Sequence, residues 1–171
     1  MIKTVALVIA EQFFRDEEYQ IPKDILERWG YRVITASTKL ENAIGKLGMT
    51  VKPDILVKDL INQKLAALIF VGGGGSSQYF NDQSVHQLAR HFNDRGNIVG
   101  AICIAPVILA NAGVLKGKKA TVFPDGIKDL EKSGAVYTGN LVEVDGNIIT
   151  GAGPEAAETF GNKLVAMLTQ G

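Results

Sequence analysis

Asn97-Ile98-Val99-Gly100-Ala101-Ile102-Cys103-Ile104-Ala105-Pro106 brings an apolar run to an abrupt stop at the chain's only cysteine. Ile98 to Ile102 has the bulk of a buried strand, and Pro106 suits the first turn of a helix, where its missing N–H goes unneeded. Cys103 therefore falls on the corner between strand and helix. Ala101 and Ala105, two residues to either side, are small enough for the arms of a tight turn to pass one another. This is the geometry of a nucleophile elbow, with cysteine in place of serine. A lone cysteine is more often a small buried hydrophobe, so the rest of the chain has to decide between packing and chemistry.

Upstream, Ala66 to Val71 is a second fully apolar strand, and it runs into Gly72-Gly73-Gly74-Gly75-Ser76-Ser77. A Walker loop would need Lys-Ser or Lys-Thr after its last glycine, but Gln78-Tyr79 follows. A dinucleotide fingerprint would need a glycine near Ser77 and belongs after the first strand of the fold. What four glycines supply is bare backbone at the carboxyl end of a strand. It reads either as donors to an oxyanion or as a plain flexible turn.

Ile2 to Ile9 reads as a strand buried on both faces, and Arg15 to Trp29 as a helix closed by Gly30. At 100° per residue, Ile21, Ile25 and Trp29 fall within about 60° of residue 18. Glu18 thus shares the apolar stripe, while Glu17 lies about 100° away at the flank. An inward carboxylate is costly unless it is protonated or hydrogen-bonded, so Glu18 is either a structural ion pair or cap, or a functional acid.

The remaining pieces alternate. Tyr31 to Ala36 is a short strand. Thr38 to Asn62 reads as a small hairpin or excursion, with extended pieces at Thr50 to Lys52 and Ile55 to Val57. Asn81 to Asp94 is a helix carrying both histidines. His86 and His91 are five residues apart and so cannot pinch a metal as an i,i+4 pair would; both read as surface or flank residues. Ala105 to Ala112 is the helix after the elbow. A strand follows at Ala120 to Phe123, then a helix at Ile127 to Lys132. A strand pair at Leu141 to Val144 and Ile148 to Thr150 is joined by Asp145-Gly146-Asn147, a hairpin signal. The last helix runs from Pro154 to about Leu168.

Strands alternating with helices in this way predict an α/β sandwich: a mostly parallel sheet with helices on both faces, built as one domain over residues 1–171. In such sheets ligands bind at the carboxyl edge, and Glu18, the glycine run and Cys103 all fall there. Eighteen basic residues balance eighteen acidic ones, so composition gives no reason to expect nucleic acid or an anionic membrane as partner. At 46% hydrophobic residues and a mean hydropathy of +0.12, the chain reads as an ordinary soluble protein. One cysteine makes neither an internal disulfide nor a thiolate zinc site, which fits a reducing, cytoplasmic setting. The first apolar run, Val5 to Ala10, is too short for a signal peptide or a membrane span.

Glu18 four residues before Pro22, Gly72-Gly73 after a strand, and Ala101-Ile102-Cys103-Ile104-Ala105-Pro106 together resemble the ThiJ/PfpI superfamily. Its members include a parkinsonism-associated protein, deglycases, glyoxalases and intracellular proteases. The resemblance extends to Asp145-Gly146 and to Thr150-Gly151-Ala152-Gly153-Pro154 before the last helix. It implies a flavodoxin-like sandwich related to class I glutamine amidotransferases, a homodimer, and no cofactor or metal. It also implies Cys103 as nucleophile, Glu18 as its carboxyl partner, and the backbone N–H groups of Gly73 and Ile104 as an oxyanion hole. Three positions depart from the pattern. Protease-like members carry histidine where this chain has Ile104. Members resembling the human protein often carry one in the segment placed here at Gly134-Ala135-Val136-Tyr137, and an arginine where Ala152 stands.

Without a histidine near the elbow, a cysteine and a carboxyl suit thiol addition to small reactive carbonyls, as in a glyoxalase or protein deglycase. A thiol at a helix N-terminus is expected to have its anion favoured by the helix dipole and nearby N–H groups. The alternative is a non-enzymatic redox sensor or chaperone acting through Cys103 oxidation. Isocyanide hydration and proteolysis are further alternatives.

Overall fold

Consecutive apolar residues form a strand when both sheet faces are to be covered, because neighbouring side chains point to opposite sides. β1 (Thr4–Val8) does this in the computed structural model, which describes residues 1–171: Ala6 and Val8 enter one core, Val5 and Leu7 the other. The strands that follow are β2 (Gln12–Phe14), β3 (Arg32–Ser37), β4 (Ala43–Gly45), β5 (Thr50–Val51), β6 (Ile55–Leu56), β7 (Ala67–Phe70), β8 (Ile98–Ile102), β9 (Lys119–Ala120), β10 (Val136–Tyr137), β11 (Val142–Asp145) and β12 (Ile148–Gly151). The helices are α1 (Asp16–Arg28), α2 (Gln83–Asp94), α3 (Pro106–Asn111), α4 (Ile127–Lys132) and α5 (Ala157–Gln170).

Seven strands make the central sheet in the order β11-β12-β8-β7-β1-β3-β6. Every pairing is parallel except β11 with β12, whose two-residue turn Gly146-Asn147 joins Asp145 directly opposite Ile148. Residues of α1 and α5 fill the core on one face, and those of α2, α3 and α4 the core on the other. The doubly covered sheet expected from the alternation is the architecture that forms. On the first face α1 and α5 lie close enough that a Cβ at Gly161 would sit 2.8 Å from Ile25 Cδ1.

The excursion at 38–62 does contain a hairpin, β4 against β5, but two features were not legible in advance. β2 joins this hairpin as a third strand, and β6 returns to the edge of the central sheet. Two further expectations are corrected. Trp29 does not extend the buried stripe of α1; the helix stops at Arg28, so the 100° progression ends and the indole is 64% exposed. The strand expected at Ala120 to Phe123 is shorter, and pairs in parallel with β10 outside the central sheet. No helix is long and apolar enough to cross a membrane.

Candidate active site

Cys103 follows directly on β8 and adopts φ +65°, a left-handed conformation that costs a non-glycine residue roughly 1 kcal/mol or more. Two backbone hydrogen bonds hold it there. Its N–H donates to Gly151 O at 2.8 Å, and its carbonyl accepts from Phe123 N–H at 2.7 Å. Ala101 and Ala105 are fully buried on either side, and Pro106 opens α3. The turn read from the sequence thus exists, with its thiol half-buried.

Glu18 sits in the first turn of α1 and is 1% exposed. Gly72 N–H donates to its Oε1 at 3.1 Å. Its Oε2 is buried with no hydrogen bond of ordinary geometry, although the Cys103 thiol is close enough for each group to perturb the other. Gly72 is the wall between them. A Cβ there would lie 2.5 Å from Glu18 Oε1 and 2.6 Å from Cys103 Cβ, so only glycine lets acid and thiol approach this closely.

Burial pushes the Glu18 carboxyl up to about 7, against the thiol and the Gly72 N–H, which favour its charged form. Burial also pushes the Cys103 thiol up, to about 12, and the charge on Glu18 adds to the rise. The N–H groups of Gly73 and Ile104 reach the sulfur and favour its anion, but they do not offset burial. The help expected for the anion from nearby N–H groups is thus present but outweighed by burial. α3 has only six residues, so its dipole is short, and the sulfur is largely withdrawn from water. The carboxyl is the group whose charge changes near neutrality.

The surroundings of Glu18 include partners the periodicity did not reveal. Arg15 N–H donates to Gly72 O at 2.9 Å, and its guanidinium bonds both oxygens of Glu17, at 2.9 and 3.0 Å. Glu17 accordingly lies at the flank, as its helical phase implied. Asp16 is buried and accepts from Leu47 N–H and Met49 N–H, each at 2.9 Å, gripping the β4–β5 turn. His86 is not a surface residue: it is 3% exposed, with Nε2 2.8 Å from Phe80 O. His91 packs edge-on against Phe92.

Val136 does not reach the elbow either; it lies 54% exposed on β10. The residue bonded to the elbow from that part of the chain is Phe123, and Ala152 follows Gly151, the acceptor of the Cys103 N–H. No group of three or more His, Cys, Asp or Glu side chains could hold a metal ion. A cavity of about 480 Å³ lies at the opposite edge of the sheet, between Lys3, Asn97, Asn147 and Met167, and no side chain lining it carries a thiol or a carboxylate.

This arrangement can be set beside known proteins. A protein of Methanocaldococcus jannaschii is 41% identical over 160 residues, covering 92% of this chain and 78% of the relative. A solved ThiJ/PfpI domain protein from Brachyspira murdochii superposes with a TM-score of 0.93 at 32% identity, covering 99% of this chain and 98% of that one. Drosophila melanogaster DJ-1beta has a TM-score of 0.88 at 29% identity over 98% of this chain and 91% of its own. An oxidized Toxoplasma gondii DJ-1 has a TM-score of 0.88 at 26% identity, covering 97% and 90%. The DJ-1/PfpI family model matches residues 3–167, which include the elbow, the glycine loop and Glu18. With sheet, elbow and sequence in agreement over nearly its whole length, the chain belongs to the DJ-1/PfpI family.

Proposed function

We propose that the chain is a cofactor-free, cysteine-dependent enzyme acting on small reactive carbonyls, in the manner of a glyoxalase or protein deglycase. The carrying observation is the Glu18 carboxyl, buried beside Cys103 with one oxygen on Gly72 N–H, the other without a partner, and a pKa of about 7. Such a group gives and takes protons near neutral pH. Ionised Glu18 accepts the thiol proton as sulfur attacks the aldehyde carbon of a 2-oxoaldehyde. The proton passes to the carbonyl oxygen, completing a hemithioacetal. During that step the oxygen rests on the N–H groups of Gly73 and Ile104. Glu18 then moves the C1 proton to C2 through an enediol, leaving a thioester on Cys103. Water hydrolyses it to a 2-hydroxy acid and restores the thiol.

The test is conversion of methylglyoxal to lactate without glutathione and in the presence of a chelator. Wild type should turn over and Cys103→Ala should not. An inactive wild type, or an active Cys103→Ala, removes the reading.

The partly buried Cys103, the only cysteine in the chain, supports a second reading, oxidation by a peroxide to sulfenic or sulfinic acid with one water released per oxygen gained. Intact mass after mild peroxide separates the two. A sensor gains oxygen at Cys103 selectively and changes a partner or holdase assay, whereas an enzyme loses turnover as it gains mass. The family resemblance and the exposed Ile44 and Leu47 on the β4–β5 hairpin support a homodimer, which sedimentation would detect; a cytoplasmic location fits the single unpaired cysteine.

A further inference from the structure

Three residues at or next to the bonds of the Cys103 backbone are apolar. Ile104 follows it in the chain, Ala152 follows the residue that accepts its N–H, and Phe123 donates to its carbonyl at 2.7 Å. Phe123 stands out among them. Val122 before it is 1% exposed, and a short helical turn (Pro124–Gly126) follows it, yet Phe123 remains 37% exposed. The turn is itself fixed against the elbow, since a Cβ at Gly126 would lie 3.1 Å from Ile104 Cδ1. A large, partly exposed ring on a turn whose backbone is bonded to that of the nucleophile is suited to hold the non-reacting part of a ligand.

We propose that Phe123 is the specificity-determining residue of the site and selects carbonyl compounds with an aryl or bulky alkyl substituent over small ones. This rests on the reactive-carbonyl reading for turnover, but recognition of the aryl group can be measured without it. Phenylglyoxal should exceed methylglyoxal in kcat/KM, and Phe123→Ala should lower the ratio of the phenylglyoxal value to the methylglyoxal value about tenfold.

The independent measurement is alkylation of Cys103 by phenacyl bromide and by bromoacetone, read by intact mass, each rate divided by that for free glutathione. Wild type should favour the phenacyl reagent by about tenfold after this correction, and Phe123→Ala should abolish the preference. Phe123→Leu, which keeps apolar bulk, should retain part of it and carries the comparison if the alanine variant does not fold. Equal corrected rates in wild type, or a preference unchanged by either substitution, overturn the proposal. A phenacyl preference with no turnover of either oxoaldehyde upholds recognition by Phe123 and removes the glyoxalase reading. Methylglyoxal turnover with no phenacyl preference does the reverse.

Discussion

Asp16 and Glu18 stand two residues apart in the first turn of α1, both carboxylates and both buried, at 6% and 1% exposure. Their surroundings are opposite. Each oxygen of Asp16 accepts a backbone N–H from the β4–β5 turn, so its charge is spent on holding that turn. Glu18 has one backbone donor and one oxygen left over beside a thiol. A buried carboxylate whose hydrogen bonds are complete is suited to anchor; one left incomplete next to an ionisable partner is suited to carry a proton. On the proposed function, the same carboxylate chemistry in one turn of helix is divided into a structural and a chemical task by what the rest of the chain brings to it.

The sharpest way to break this contrast is to neutralise each carboxylate in turn. Glu18→Gln keeps an oxygen for the Gly72 N–H but cannot relay a proton, and should lower kcat for methylglyoxal by about 10²- to 10⁴-fold with the fold intact by circular dichroism. Activity within threefold of wild type would make Glu18 a second anchor.

The same pair of proteins should separate in stability with pH. The Glu18 pKa of about 7 lies above its ordinary value of 4.5, so the native state holds that proton more tightly than the unfolded chain. The stabilisation is fully present below about pH 4.5 and is lost as pH rises through 7. Wild-type stability relative to Glu18→Gln should therefore fall by about 2–3 kcal/mol across that window in denaturant titrations. A flat difference would place the carboxyl in water.

Asp16→Asn turns one acceptor into a donor facing an N–H, and should cost about 1–3 kcal/mol of stability with kcat changed far less than by Glu18→Gln. If its activity falls as steeply, the division between the two positions fails. The smallest effect is expected at Arg15→Gln. Its side chain touches Glu17 on a partly exposed face, so stability should change by about 0–1 kcal/mol, while loss of its charge nearby should raise the Glu18 pKa and shift the pH–rate profile upward.

How far each carboxylate could be read from the sequence follows from the same contrast. Glu18 was visible because helical phase places it with Ile21 and Ile25. Asp16 lies about 160° from Glu18 on the helix and reads as solvated; only a turn some thirty residues later covers it, and periodicity carries no record of such cover. The central strands β1, β7 and β8 were legible because burial on both faces leaves uninterrupted apolar runs. β2 was not, since its three residues include an exposed Phe13 at φ +60° and pair with a strand reached only after α1 and β3. Cys103 was legible from the elbow it stands on. Phe123 was missed because it meets that elbow through its backbone, which every residue type possesses, and His86 because its ring is buried by reaching a main-chain carbonyl.

The two bonds that hold the Cys103 corner have a consequence for the order in which the molecule is made. Both partners, Phe123 N–H and Gly151 O, lie C-terminal to the cysteine, and Gly151 is the last residue of β12, the neighbour of β8. A chain leaving the ribosome therefore exposes Cys103 nearly fifty residues before its strained turn can close. Through that interval the cysteine is an ordinary flexible thiol, away from its acid and its amides. The corner is complete only when β12, the sheet's last parallel strand, pairs with β8.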